Sequence, residues 1–185
     1  MVNHTRMPEY EPRLEVLPYD VHWPAEFEVE AARLRAALGS IALRVDHHGS
    51  TSIPGLAAKP IIDIQVSVAA LQPIAAYSAC LQAVGYVHLP HPDDSFCPFF
   101  YRPHRWPHSH HVHVVQAGGV EERRTLAFRD YLREHPDVAR EYEQLKRGLA
   151  AQFAAAGHEA REAYARAKSD FIERIIGKAL RSGHP

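Results

Sequence analysis

Between Pro60 and Val68 the polar residues Asp63, Gln65 and Ser67 alternate with Ile62, Ile64, Val66 and Val68. Side chains of a strand point to opposite faces at period two, so this stretch is a strand with one apolar and one polar face. A preceding strand is expected over Ile41–His48, and the turn-forming run Gly49-Ser50-Thr51-Ser52-Ile53-Pro54-Gly55 follows it. The same alternation returns in His111-Val112-His113-Val114, which puts His111 and His113 on one face and the valines on the other.

A sheet of such strands must bury its apolar face, and the rest of the chain supplies helices for that purpose. Pro24 suits a first helical turn, Phe27, Ala31, Leu34 and Leu38 follow helical spacing, and Gly39 is a stop. A second helix is expected over Pro73–Val84. Tyr86–Leu89, Phe99–Arg102 and His111–Gln116 are short strands separated by Pro- and His-rich loops. From Glu121 onward the chain reads as helix. Val138, Tyr142, Leu145, Leu149 and Phe153 form one stripe, and Tyr164, Ala167, Phe171, Ile175 and Ala179 another on the last helix. The predicted class is therefore α/β or α+β: a mixed sheet with flanking helices and an all-helical C-terminal third. Residues 1–14 are polar and read as a tail, and residues 15–180 as one domain without repeats or a linker.

Charge and cysteine content narrow the function classes. Lys plus Arg number 21 against 22 Asp plus Glu, a net charge of −1, which argues against nucleic acid or an acidic membrane surface as partner. No apolar run approaches the roughly 20 residues of a membrane span, and the start, MVNHTRMPEYEPRLEV, lacks the apolar core of a signal peptide. Cys80 and Cys97 alone make no disulfide framework, so reduced thiols in the cytoplasm are expected. The unusual count is 14 histidines, seven of them between His88 and His113.

The segment most suited to chemistry runs from His47-His48-Gly49-Ser50 to Lys59 and Asp63. A strand entering Gly-Ser brings backbone amides and a small hydroxyl under whatever sits above the turn, and phosphate suits that geometry. Asp63, on the polar face, can hold a divalent cation, and Lys59 can offset phosphate as a point charge. Each has a plain structural counterpart, an ordinary turn and a solvated carboxylate. Arg102 and Arg105 flank an aromatic stretch in which Tyr101 or Trp106 can stack a base, though the commoner role is a loop with its aromatics tucked against the sheet. Arg123, Arg124, Arg129, Arg133 and Lys146 alternate with acids at helical spacing and are expected on a solvated face, with Arg129 a candidate for the cleft. Cys97 with His91 and His104 lacks compact zinc spacing. Ser50, His48 and Asp63 can be written as a triad, but nothing in the sequence supplies its oxyanion hole. No nucleophile elbow, Walker A or dinucleotide fingerprint is present.

HHGSTSIPGLAAKPIIDIQV, followed by HHVHVV, LAFRDYLREHP, the EYEQLK helix and AYARAKSDFI, resembles the GrpB family from about Val16 to Ile176. That family is similar to the nucleotidyltransferase superfamily, whose signature is a Gly-Ser turn followed by an Asp-x-Asp/Glu strand. A related domain is fused behind dephospho-coenzyme A kinases. The resemblance implies Gly49 and Ser50 as the phosphate turn and Asp63 as first carboxylate, but the second carboxylate position is Gln65. His111 and His113 are candidates to replace a further carboxylate, with His47 or His48 completing the set. Such ligands suit Zn²⁺, Mn²⁺, Fe²⁺ or Ni²⁺ better than Mg²⁺.

The expectation is a nucleotide- or phosphorylated-ligand-binding protein, in its fullest form a metal-dependent nucleotidyltransferase. Asp63 and Ser50 would be catalytic, Gly49, Ser50, Lys59 and Arg102 would hold the ligand, and Asp63, His111, His113 and His48 the metal. The alternative is a catalytically silent module acting in ligand binding or as a folding or assembly partner of another protein.

Overall fold

The computed structural model describes residues 15–153 and 158–184. The tail expected over residues 1–14 lies outside them. Helix α1 (Trp23–Leu38) leads through a 3₁₀ turn at Gly39–Ile41 into strand β1 (Arg44–His48), which is shorter than expected because that turn takes Ile41, and Ala42 and Leu43 link it to the strand. Strand β2 spans Ile62–Val68, followed by α2 (Ala75–Ala83), β3 (Val87–Leu89), β4 (Phe99–Arg102) and β5 (His110–Gln116). The helical third comprises α3 (Val120–Glu134), α4 (Pro136–Gln152), α5 (His158–Arg166) and α6 (Ser169–Arg181). The stripe expected on one last helix is thus divided: the chain turns at Ala167–Lys168, leaving Tyr164 on α5 and Phe171, Ile175 and Ala179 on α6. None of the described helices is long and apolar enough to cross a membrane.

The strands form one five-stranded sheet in the order β1-β2-β5-β4-β3. Strand β2 pairs antiparallel with β1 and parallel with β5, while β4 is antiparallel to both β5 and β3. This is the mixed α+β architecture that the alternation predicts.

Each face of β2 has its own cover. Ile62, Ile64, Val66 and Val68, with Val112, Val114 and Phe100, join Phe27, Ala31 and Leu34 of α1 and Tyr77 and Leu81 of α2 in the main core. The opposite face is polar, and α3 lies across part of it. Ser67 Oγ donates to Glu122 at 2.5 Å, and the Thr125 hydroxyl donates to Gln65 Oε1. Both Gln65 and Ser67 are fully buried, so the polar alternation persists beneath a helix without reaching solvent there. A second apolar cluster, including Ile53, Leu56, Leu132, Tyr142, Phe171 and Ile175, joins α3, α4 and α6 to the turn after β1.

Candidate metal and phosphate site

Beyond the cover of α3, the polar faces of β1, β2 and β5 meet at one end of the sheet. Register sets His48 opposite Asp63 across β1 and β2, and Asp63 opposite His111 across β2 and β5. His113, two residues further along β5, shares the face of His111. Asp63 Oδ1 lies 3.3 Å from His111 Nδ1 and 3.9 Å from His113 Nε2. One donor atom from each of Asp63, His111 and His113 falls within 4.8 Å of the others. One carboxylate with two imidazoles fits a borderline transition ion better than Mg²⁺, which prefers oxygen ligands. His48 packs edge-on to His113, ring centroids 4.8 Å apart, with its buried Nε2 lacking a hydrogen-bond partner.

The far nitrogens of both imidazoles are also engaged. His111 Nε2 lies 3.1 Å from His108 Nδ1, and His113 Nδ1 lies 3.8 Å from Cys97 Sγ. Groups in this position orient ligating imidazoles and tune their basicity. Neither His108 nor Cys97 was assigned that part from the sequence. Both come into place through β4 and the loops at its ends, which their spacing does not disclose.

Burial opposes ionisation of Asp63, but hydrogen bonds from His111 and His113, with the electrostatic pull of His111 and His48, hold its carboxyl well below the usual range. Burial lowers His111 despite the pull of Asp63, and lowers His48 to about 3. Burial presses His113 the same way, but hydrogen bonding to Asp63 and Cys97 outweighs it and the ring is raised. A cation bound by these side chains would therefore displace a proton from His113.

The turn above the site is fixed by geometry. Gly49 has φ +69°, and a Cβ there would meet Asp63 Cβ at 2.8 Å. Only a residue without a side chain lets the backbone pass so close to that carboxylate. Arg133 Nε and Nη2 donate to the Ser52 carbonyl at 3.1 and 2.8 Å, and Arg129 Nη1 donates to the His47 carbonyl at 3.1 Å. Arg129, a candidate for the cleft, instead clamps β1 to α3.

Gly49, Ser50, Lys59, Asp63, His111 and His113 line one cavity of about 410 Å³, together with His48. Its opposite wall comes from Tyr142 and Lys146 of α4, Tyr164 of α5 and Lys168 of the α5–α6 turn. Lys146, expected on a solvated face, is only 2% exposed and donates to the Ala57 carbonyl at 2.5 Å. Its helix lies over the turn, so the stripe carrying Tyr142 and Leu149 turns Lys146 inward as well. Lys168 had no role in the sequence reading. Its position follows from the break between α5 and α6, which apolar periodicity does not signal.

Arg102 is not part of this constellation. It projects from the other face of the sheet, where it donates to Glu30 at 2.6 Å, and Glu30 also accepts from Tyr86 at 2.9 Å. In β4, Tyr101 pairs with His111 and Arg102 with His110, so alternation sends Arg102 away from Asp63. Tyr101 and Trp106 pack on His108, at 4.3 and 5.0 Å between centroids, in keeping with aromatics tucked against the sheet. His47 also faces away from the cavity, stacked on Phe27 and 3.0 Å from the Thr51 hydroxyl.

Comparison with known proteins agrees with these motifs. Residues 13–178 match the family model described as GrpB protein. A UPF0157 protein of Pseudomonas aeruginosa is 40% identical over 171 residues, covering 91% of this chain and 68% of that one. The chain spans 40% of the length of the Bacillus subtilis UPF0157 protein YqkA, at 36% identity over 140 residues, 76% of this chain. A dephospho-CoA kinase of Mycolicibacterium paratuberculosis is 34% identical over 158 residues, covering 72% of this chain and 39% of the kinase. The crystal structure of the conserved protein GrpB from Enterococcus faecalis superposes with a TM-score of 0.80 at 35% identity, covering 91% of this chain and 98% of that one. A family model matched from residue 13 to residue 178, with a fold shared almost end to end, makes this chain a member of the GrpB family.

Proposed function

We propose that this GrpB protein binds a nucleotide or another phosphorylated ligand in the cavity at the end of β1, β2 and β5, together with one divalent metal ion. The observation that carries this reading is the convergence of Asp63, His111 and His113 directly beneath the Gly49–Ser50 turn. Asp63, His111 and His113 would hold the ion, with His48 beside them, and the amides and hydroxyl of the turn would face phosphate oxygens. The ion when bound supplies positive charge to phosphate and polarises the phosphoryl group. Mn²⁺ or Zn²⁺ suits the donors better than Mg²⁺. In the catalytic form of the proposal, Asp63 and Ser50 touch the reacting phosphoryl group and the reaction is nucleotidyl transfer. The proposed setting is the cytoplasm, where Cys80 and Cys97, both free, stay reduced.

A specific observation favours a second reading. Gln65, at the second carboxylate position of the resemblance, is fully buried and hydrogen-bonded to Thr125 under α3. Without a second carboxylate a two-metal site is not assembled, which suits a ligand-binding module or an assembly partner that performs no transfer. The likeness to part of a dephospho-CoA kinase is compatible with that role.

Metal analysis and thermal-shift titration with nucleoside triphosphates and divalent ions test the proposal, on wild type and Asp63→Ala. About 100-fold excess of a ligand over its Kd stabilises the native state by about 2.7 kcal/mol. A metal-dependent shift confined to wild type supports it, and an equal shift in Asp63→Ala overturns it. Release of pyrophosphate from a bound triphosphate separates transfer from silent binding.

A further inference from the structure

Lys59 reaches across to the Tyr164 ring, so its ammonium group joins those of Lys146 and Lys168 along the tyrosine side of the cavity; the three come from separate elements, the loop before β2, helix α4 and the α5–α6 turn. Among the described residues none of these three ammonium groups has a carboxylate within ion-pair distance. They rest on aromatic faces instead, Lys146 also donating to the Ala57 carbonyl. Lys59 Nζ and Lys168 Nζ lie 5.2 and 4.3 Å from the centroid of the Tyr164 ring, and Lys146 Nζ lies 4.9 Å from that of Tyr142. Asp63 is the sole carboxylate among the residues lining this cavity, and His111 and His113 already face it.

Lys146 is buried and Lys59 and Lys168 are half-buried. Like charges gathered away from bulk water without counter-ions are unfavourable, and a buried cation is ordinarily paired. Aromatic faces attract an ammonium group but bring no net negative charge. The missing counter-charge is therefore left to a ligand, and three ammonium groups facing one cavity call for more negative charge than a single anionic group brings. We infer that the lysine wall is a polyanion site that takes a ligand of the pyrophosphate class, with at least two linked phosphoryl groups, and that it does so without metal. This rests on the proposed reading only in treating the cavity as the ligand site. It adds the ligand's charge class and joins Lys146 and Lys168 to Lys59 as the residues that select it.

Isothermal titration calorimetry of the full chain in EDTA, with inorganic pyrophosphate, orthophosphate and citrate in separate titrations, tests this. Pyrophosphate should bind at least about tenfold more tightly than either competitor, the factor expected from one additional charge-assisted contact. Lys59→Met and Lys168→Met should each weaken pyrophosphate by about tenfold or more, and Lys168→Arg should recover most of the loss. Lys168→Met removes a half-buried charge that has no ion-pair partner among the described residues, so it should melt no lower than wild type and remain testable. Equal affinity for orthophosphate or citrate, or full affinity in both lysine-to-methionine variants, overturns the inference. Pyrophosphate bound in EDTA by a protein that takes up no metal would sink the metal reading and leave this one standing. Metal uptake without pyrophosphate binding would do the reverse.

Discussion

At the scale of single residues the candidate site depends on Gly49 and Asp63 occupying almost the same space. Gly49 combines a positive φ with an approach that no Cβ tolerates. Gly49→Ala is expected to cost about 1–3 kcal/mol in backbone strain and contact. It should also push Asp63 away from His111 and His113. Thermal melting would report the first effect, and loss of bound Mn²⁺ or Zn²⁺ by metal analysis the second. A variant that retains both would show that the close approach has no bearing on the site. Asp63 itself was legible as a candidate, since an acid in a strictly alternating strand must sit on the polar face. Its partners were legible to the same degree, because His111 and His113 obey the same period. What spacing left open was whether β5 lies next to β2, and the parallel register answers that.

At the scale of elements, alternation describes which face a residue takes but not what covers it. Gln65 shares the polar face of Asp63, yet α3 seals it, and its Nε2 has no hydrogen-bond partner. Gln65→Glu, which would restore the Asp-x-Glu pattern, would bury a carboxylate near Glu122, where Ser67 and Gly118 already donate. The expected outcome is a loss of several kcal/mol, or an upward-shifted pKa that keeps the new group neutral, with no second metal bound. A Gln65→Glu protein that melts like wild type and takes up two ions would refute this. On the other face, Arg102 is held to Glu30, which is 3% exposed. Arg102→Ala should therefore destabilise by about 1–3 kcal/mol, because Glu30 loses its shortest partner but keeps Tyr86 and Arg33, while leaving ligand affinity unchanged in the folded fraction. The lysine wall shows the same limit of periodicity. Lys146 reads as solvated within its own helix, and only the docking of α4 over the Gly49 turn reveals that it faces inward.

At the scale of the whole molecule, the histidines that marked the sequence set its response to acid. Burial lowers His47, His108 and His110 to about 4 and His48 to about 3, each below the ordinary imidazole value of 6.5. The sign follows from proton counting. Between the folded and unfolded pKa values the unfolded chain binds more protons, so stability is complete above pH 6.5 and falls as pH drops toward 4. Each such group contributes at most about 1.4 kcal/mol per pH unit within its window. His113, raised by Asp63 and Cys97 against its burial, works in the opposite direction: its contribution is present below pH 6.5 and fades as pH rises through its folded value. With His111 also lowered, five lowered imidazoles outweigh one raised one, so the melting temperature should decline from pH 7 to pH 5. His47 is the cleanest to separate, being stacked on Phe27 away from the cavity. His47→Gln should flatten the acid limb without altering metal uptake, whereas His48→Gln, beside His113, should change both. An acid limb that is unchanged in His47→Gln would mean that its buried neutral ring is not what makes the fold acid-sensitive.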